Sequence, residues 1–500
     1  MTKLHRGAGS TNAKSKKQRK RYAMKRIHVL LLLAGLGLSG GVRAAEPLTL
    51  GQALQNVVDT YPSLEVAHMQ LQRAQQDRLQ VESQLGWVLG AQLGASHDLS
   101  PLTGTPSDSA NLSTSLNRGL ASGGSVGITG SYNYVDSSFS FPGLPNPSYT
   151  GRVDLTLRKP LARGAGNPDY KQSLVSADAS AAMAHANARA ARDQIAQQTM
   201  SLFYGAALTW AQLQNARDGV LRAERLKKYV HSNARLGLAE DKDILQSEAQ
   251  LRAQSAQVDA LQAAWDSQRT SLNRLMGRPA DEEFVPVLPP TTSEPDSDAD
   301  AVYKQALAYS PDLARIQAQA DISEAQLVRA RNASRSQLDL VLGLGGGNQQ
   351  GPSIPSSVNE SDYAASVRLE YQKPLDRRGA DASVTQAQLD HSIALRQLQA
   401  TKDDLRYNID GLLQDLNKSH DAVKSQELRV EAETSKLKDA EHRYRQGRAD
   451  TTQLIQFEND LFLARLALEQ QRITLLQKQF SLNLLRGTLW NNVRLPAQYQ

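Results

Sequence analysis

The residue types that commonly carry chemistry are present here without the spacing that chemistry requires. His185, His231, His391, His420 and His442 all fall on helix-patterned stretches, and none has a second histidine four residues on. No HExxH and no phosphate-binding G-x-x-x-x-G-K-[ST] occurs, so metalloprotease and nucleotide-hydrolase mechanisms lack their defining residues. The run Gly343-Leu-Gly-Gly-Gly347 imitates a phosphate loop, but it leads into Asn, Gln and Pro with no helix to supply a dipole, and it reads as a loop. Cysteine is absent altogether, which removes disulfides, thiol catalysis, cysteine zinc sites and lipid attachment to an amino-terminal cysteine. No cofactor, metal or catalytic residue is expected.

Charge excludes another class. The chain carries 57 basic and 51 acidic residues, but 11 of the basic ones precede Ala44, where no acidic residue occurs. That segment has the organisation of an export signal: a basic stretch from Lys14 to Arg26, an apolar run from Ile27 to Leu38, then Val42-Arg43-Ala44 as a cleavage site. Residues 1–44 are therefore expected to be a signal peptide, with Met24 an alternative start. Twelve apolar residues are too few for a membrane-spanning helix, which needs about 20. Beyond Ala44, 46 basic residues face 51 acidic ones, a net −5, which gives no electrostatic basis for binding nucleic acid.

The elements that would hold any site come in two sets. Asp59-Thr-Tyr-Pro62-Ser-Leu64 corresponds to Ala308-Tyr-Ser-Pro311-Asp-Leu313 at a shift of 249. Val153-Asp-Leu-Thr-Leu-Arg-Lys159-Pro160-Leu161 corresponds to Val367-Arg-Leu-Glu-Tyr-Gln-Lys373-Pro374-Leu375 at a shift of 214, so the first half holds 35 extra residues, Asn111 to Ser137 among them. Arg235-Leu-Gly237 matches Arg445-Gln-Gly447 at a shift of 210. This spacing predicts a first repeat over 45–285, a Pro/Ser/Asp-rich linker over 286–300, a second repeat over 301–490 and a tail over 491–500.

Each repeat reads as helix, strands, long helix, turn, helix. Helices are expected near 48–85, 168–236 and 240–276, and again near 300–335, 380–446 and 450–486. Ile409, Leu416, Val423, Val430, Leu437 and Tyr444, then Leu454, Leu461, Leu468, Leu475 and Leu482, keep strict sevens, the period of a left-handed coiled coil. The first half has an Ala-rich stripe in which Leu202, Leu213 and Val220 stand out. Trp87–Leu93, Val153–Leu157, Leu338–Leu342 and Val367–Tyr371 alternate apolar and polar residues, as strands with one greasy and one wet face do. Pro160 and Pro374 end the strands and open the long helices, and Pro142–Pro147 and Gly345–Pro355 read as loops. Trp87, Tyr132, Tyr134, Tyr149 and Tyr363 lie where either an aromatic girdle or ordinary sheet aromatics would place them. With no apolar helix after the signal, entry into a membrane would need a closed β-barrel. Four strands cannot enclose a useful lumen, so several chains would have to contribute.

The ordered set of tandem halves, strand pairs ending in Lys159-Pro-Leu-Ala-Arg-Gly-Ala-Gly166 and Lys373-Pro-Leu, and helix turns at Arg-x-Gly resembles the TolC-like outer-membrane efflux proteins over about residues 46–490. The resemblance implies a mainly α protein with a transmembrane β-barrel: a homotrimer whose four strands per chain close a 12-stranded barrel in outer-membrane lipid, above a long α-helical coiled-coil barrel in the periplasm. It implies a passive exit duct for small molecules, partnered by a periplasmic adaptor protein and an inner-membrane transporter. Two alternatives stay open: a duct for type I protein secretion, and a soluble periplasmic coiled-coil scaffold. The extra first-half residues, 111–137 among them, form either an extracellular lid or added strands, which leaves the strand count per chain open.

By position, the resemblance places the tunnel constriction at the Gly237 and Gly447 turns. It implies a latch between Tyr444, before the second turn, and Asp243, after the first. Lys242 and Arg448 stand beside them where the family has other residues, and Gln453 and Gln456 replace a pore-lining pair of acids. The competing reading is that Asp243 caps a helix and Tyr444 is a heptad core residue.

Overall fold

The chain is described from a computed structural model, which covers residues 46–99, 105–138, 141–237, 239–291, 298–446 and 448–494. The expected signal peptide, its cleavage site, the middle of the linker, the end of the tail and Gly447 lie outside the described residues. The chain divides into two compact units, one containing Glu46–Pro47 and Glu283–Val285, the other comprising Leu48–Glu282 and Pro286 onward. Short strands β1 (Glu46–Thr49) and β6 (Phe284–Val287) form a two-stranded sheet.

The larger unit begins with α1 (Leu50–Thr60) and α2 (Pro62–Ser83), separated at Tyr61. The sequence reading had one helix over 48–85. Proline at 62 forces the break, because a proline disfavours helical geometry in the residue before it and is itself favoured at the first helical position. The second half breaks in the same way at Ser310, between α5 (Ala299–Tyr309) and α6 (Pro311–Ala333). The long helices α3 (Pro168–Arg235) and α7 (Arg378–Arg445) have 68 residues each, about 102 Å at 1.5 Å per residue, and the helices that follow their turns, α4 (Asp241–Leu275) and α8 (Thr451–Leu485), have 35 each.

The heptad residues of α7 and α8 form the core. Ile409, Leu416, Val423, Leu468, Leu475 and Leu482 pack in one buried cluster with Val302 and Ala306 of α5, and Leu437, Leu454 and Leu461 pack in a second with Leu226 and Val230 of α3. In α3 the buried stripe is Ala196, Phe203, Tyr204, Ala206, Ala207, Leu213, Ala216 and Ala223, while Leu202 and Val220 are only half-buried. Alanine rather than leucine sets the seam, which allows α3 to lie close to α2, α4, α6 and α8.

The sheet departs most from the sequence reading. Six strands, not four, pair antiparallel in the order β2 (Trp87–Leu99), β3 (Pro106–Gly119), β4 (Ser125–Ser137), β5 (Ser148–Pro160), β7 (Gln337–Gly351) and β8 (Val358–Gln372). The extra first-half residues are two added strands, inserted between the strand that follows α2 and the strand that precedes α3. They form strands because their side chains alternate in polarity, a pattern that Gly, Ser and Asn made hard to see. Gly343–Gly347, read as a loop, lies inside β7 for a related reason: Gly345 and Gly347 sit opposite Asp154 and Arg152 of β5, where a Cβ would meet Asp154 Oδ1 at 2.1 Å and Asp362 Oδ1 at 3.0 Å respectively. Pro160 ends β5 and is buried. Pro374 follows β8 and is exposed. Short connections, not the prolines themselves, lead into α3 at Pro168 and α7 at Arg378.

Candidate functional site

The register of the sheet sorts its side chains onto two faces. On one, Leu89, Leu116, Ile128, Leu155, Leu344 and Ala365 lie in a row across all six strands. Ala91, Thr114, Gly130, Val153, Gly346 and Tyr363 form a second row on that face, and Leu93, Leu112 and Tyr132 begin a third. On the other face the row Gln92, Ser113, Ser131, Arg152, Gly347 and Asp362 is polar throughout. Arg152 bonds Asp154 at 2.9 Å and Asp362 at 3.3 Å, and Arg158 bonds Asp339 at 2.6 Å and Glu370 at 3.2 Å, so charge on this face is paired.

Among the described residues nothing covers the apolar face: Leu89 is 75% exposed, Leu93 79%, Val367 78% and Tyr363 94%. A continuous exposed apolar surface on a sheet is costly in water and stable against lipid. Strands of 13 to 15 residues exceed the 9–11 or so that cross a bilayer. Trp87 and Tyr371 stand toward the helix-proximal ends of this face, and Tyr134 and Tyr149, their rings 5.2 Å apart, toward the far ends. Among the described residues no helix is long and apolar enough to cross a membrane.

At the far ends of the long helices, the helices α4 and α8 begin beside each other. Gly237 takes φ +72° with open space around it, which reverses the chain after α3. Asp243 accepts from the Glu240 backbone N–H at 3.1 Å as part of a capping box, and the Asp450 carboxylate accepts from the Gln453 backbone N–H at 2.6 Å. The Tyr444 hydroxyl bonds Thr451 Oγ1 at 3.0 Å rather than Asp243. Burial raises the Tyr444 pKa, with the Asp243 charge a smaller contribution in the same direction. The Tyr444 ring lies 5.3 Å from that of Tyr229, so this residue both packs in the heptad core and bonds at the turn. Lys242 pairs with Glu240 at 2.8 Å, a contact that raises its pKa. Arg448 donates its backbone N–H to Arg443 O at 2.9 Å. Gln453 and Gln456 are exposed on the first turns of α8. Among the described residues, α4 and α8 are joined near the turns by Thr452 Oγ1 donating to Gln246 Oε1 at 3.3 Å, a pair that the sequence reading did not single out.

Two turns farther from the tip, Arg222, Arg225, Tyr229, Glu441, Tyr444 and Glu458 line a cavity of about 210 Å³ between α3, α7 and α8. Burial pushes the Glu458 carboxyl up to about 7, against the opposing pull of Arg222. Burial likewise lowers the Arg222 pKa, although an arginine so lowered is still charged at neutral pH. Sequence reasoning missed Glu458 because an isolated glutamate in a charged helix gives no signal until three helices close over it. Among the described residues no cluster of three or more His, Cys, Asp or Glu is placed to hold a metal ion. His231 approaches Glu248 at 3.5 Å and His391 bonds Ser323 at 3.1 Å, pairings that anchor side chains between neighbouring helices.

No family profile and no curated protein matches the sequence. Solved structures do match the fold. The outer-membrane channel OprN superposes with a TM-score of 0.64 at 17% identity, over 88% of this chain and 89% of that one. The Campylobacter jejuni CmeC outer membrane channel gives 0.63 at 13%, over 88% and 85%, and the Vibrio cholerae outer membrane protein VceC 0.60 at 17%, over 88% and 95%. The chain shares its fold with these solved outer-membrane channels.

Proposed function

We propose that the protein is the outer-membrane exit duct of a tripartite efflux system, a homotrimer through which small molecules pass passively to the exterior. The observation that carries this reading is the sheet: one uncovered apolar face, one charged and polar face, and an unpaired edge at each end, β2 and β8. In lipid the edge amides must find partners, and closing copies edge to edge supplies them. The polar face then lines a water-filled lumen and the apolar face meets lipid. The helices extend the wall into the periplasm, and the Gly237 turn marks the tip to which an adaptor and an inner-membrane transporter deliver cargo. Energy for transport comes from that partner, and opening consists of separating the α3–α4 and α7–α8 hairpins where Thr452 and Gln246 join them.

The test is fractionation followed by conductance in planar bilayers. Extraction from outer membranes only by detergent, with discrete ion conductance, is expected. A conductance increase is expected for Thr452→Val paired with Gln246→Leu. A freely soluble, non-conducting species would refute the duct, whereas conductance unaltered by the paired substitution would refute only the tip assignment.

A further inference from the structure

The hairpin β3–β4 is absent from the corresponding place in the second half, where β7 joins β8 directly. A surface flap needs no particular polarity pattern. This hairpin nevertheless carries the same alternation as its neighbours, in phase with them: Leu112, Leu116, Val126, Ile128, Tyr132 and Tyr134 on the apolar face, and Asn111, Ser113, Ser115, Thr129, Ser131 and Asn133 on the polar one. Since a slip of one residue would invert every side chain, the shared phase is a requirement that only a wall strand has to meet. The hairpin turn is also built for its place. Gly123 and Gly124 both take φ +87°, and a Cβ on Gly124 would lie 2.0 Å from Arg158 O, so the turn fits directly against the end of β5.

We infer that β3 and β4 are transmembrane wall strands, so that three copies close an 18-stranded barrel by pairing β8 of each with β2 of the next. This deepens the duct reading and rests on it. The polarity of the strands permits the closure. The sheet alternates direction from β2 to β8, so the last strand of one copy and the first of the next run antiparallel, and an even strand count keeps the alternation unbroken around the ring.

The consequence is a wider exit. At a spacing of about 4.8 Å and a tilt of about 40°, 18 strands give a backbone diameter of about 36 Å, against about 24 Å for 12. The helices can carry that wall. Four helix ends per chain, those of α2, α3, α6 and α7, lead directly into or out of the sheet along the chain; 12 helices at about 8–10 Å spacing span a perimeter of about 96–120 Å, and 18 tilted strands need about 113 Å. The backbone ring at the outer mouth is therefore about 1.5-fold wider in diameter than a four-strand subunit would allow.

The absence of cysteine makes single-site labelling direct. Nitroxides placed at Leu112→Cys, Ser113→Cys, Ile128→Cys and Thr129→Cys would be compared in liposomes with Leu155→Cys and Thr156→Cys on β5, by collision with oxygen and with a water-soluble nickel chelate. Oxygen should dominate at positions 112, 128 and 155, and the chelate at 113, 129 and 156. Chelate access at all four hairpin positions with alternation kept on β5 would overturn the inference while leaving the duct intact; loss of alternation on β5 as well would overturn both. Electron cryomicroscopy of the detergent-extracted assembly should count 18 strands around the rim, and a count of 12 would end the proposal.

Discussion

Replacing Glu458 by glutamine isolates a single buried proton near the tip. The carboxyl is displaced from an ordinary 4.5 to about 7 by burial among α3, α7 and α8, with the residue 8% exposed. Between pH 4.5 and 7 the folded chain therefore holds a proton that the unfolded chain has released. Stability from this group is fully present below pH 4.5 and is lost as pH rises to about 7. The displacement corresponds to about 3 kcal/mol per chain. Glutamine keeps the shape and cannot ionise, so Glu458→Gln should remove this pH dependence and be more stable than the native protein above pH 7 by up to that amount. Hydrogen exchange of the α8 segment from Leu454 to Leu461, corrected for intrinsic base catalysis, reads the effect locally. Opening of the native segment should become easier by up to about 300-fold between pH 4.5 and pH 8, while the variant should show little change. If native and variant give the same pH profile, or if the native segment loosens on acidification, the carboxyl is not held protonated by its surroundings and the reasoning fails.

Two further outcomes test the helical core. Asp193 accepts from Tyr309 Oη at 2.8 Å and from Trp490 Nε1 at 2.9 Å, so Asp193→Ala strands two donors and should cost about 2–4 kcal/mol in thermal or denaturant unfolding; a loss below about 0.5 kcal/mol would mean that water replaces the carboxylate freely. Gly487 and Gly237 have nearly the same left-handed backbone, φ +71° and +72°, but a Cβ would meet Tyr309 Cδ2 at 2.3 Å at the first and nothing within 4 Å at the second. Alanine at 237 should cost only the conformational penalty of about 1 kcal/mol, and alanine at 487 about 2–4 kcal/mol; equal losses in parallel melts would show that packing against Tyr309 does not matter.

The sequence determined the helical scaffold because its signals are local and repeated. Strict sevens from Ile409 to Tyr444 and from Leu454 to Leu482 fix which side of each helix is buried, and Arg-x-Gly marks the turns whichever neighbours arrive. Alternation at Trp87–Leu93 and Val153–Leu157 fixed amphipathic strands in the same way. What only the tertiary structure decided depends on partners distant in sequence. Gly343–Gly347 looks like a loop until Arg152, Asp154 and Asp362 are seen to need the space that its missing side chains leave. Residues 111–137 read equally as a lid or as added strands until strand pairing aligns Leu112, Leu116 and Ile128 with the apolar rows of β2 and β5. Beside the helix turns, Tyr444 bonds Thr451 and Asp243 the Glu240 backbone, because a side chain takes the nearest well-oriented partner and spacing along the chain does not specify orientation. Glu458 carries no local signature at all: its proton affinity arises from burial by three helices, and burial is a property of the assembled fold.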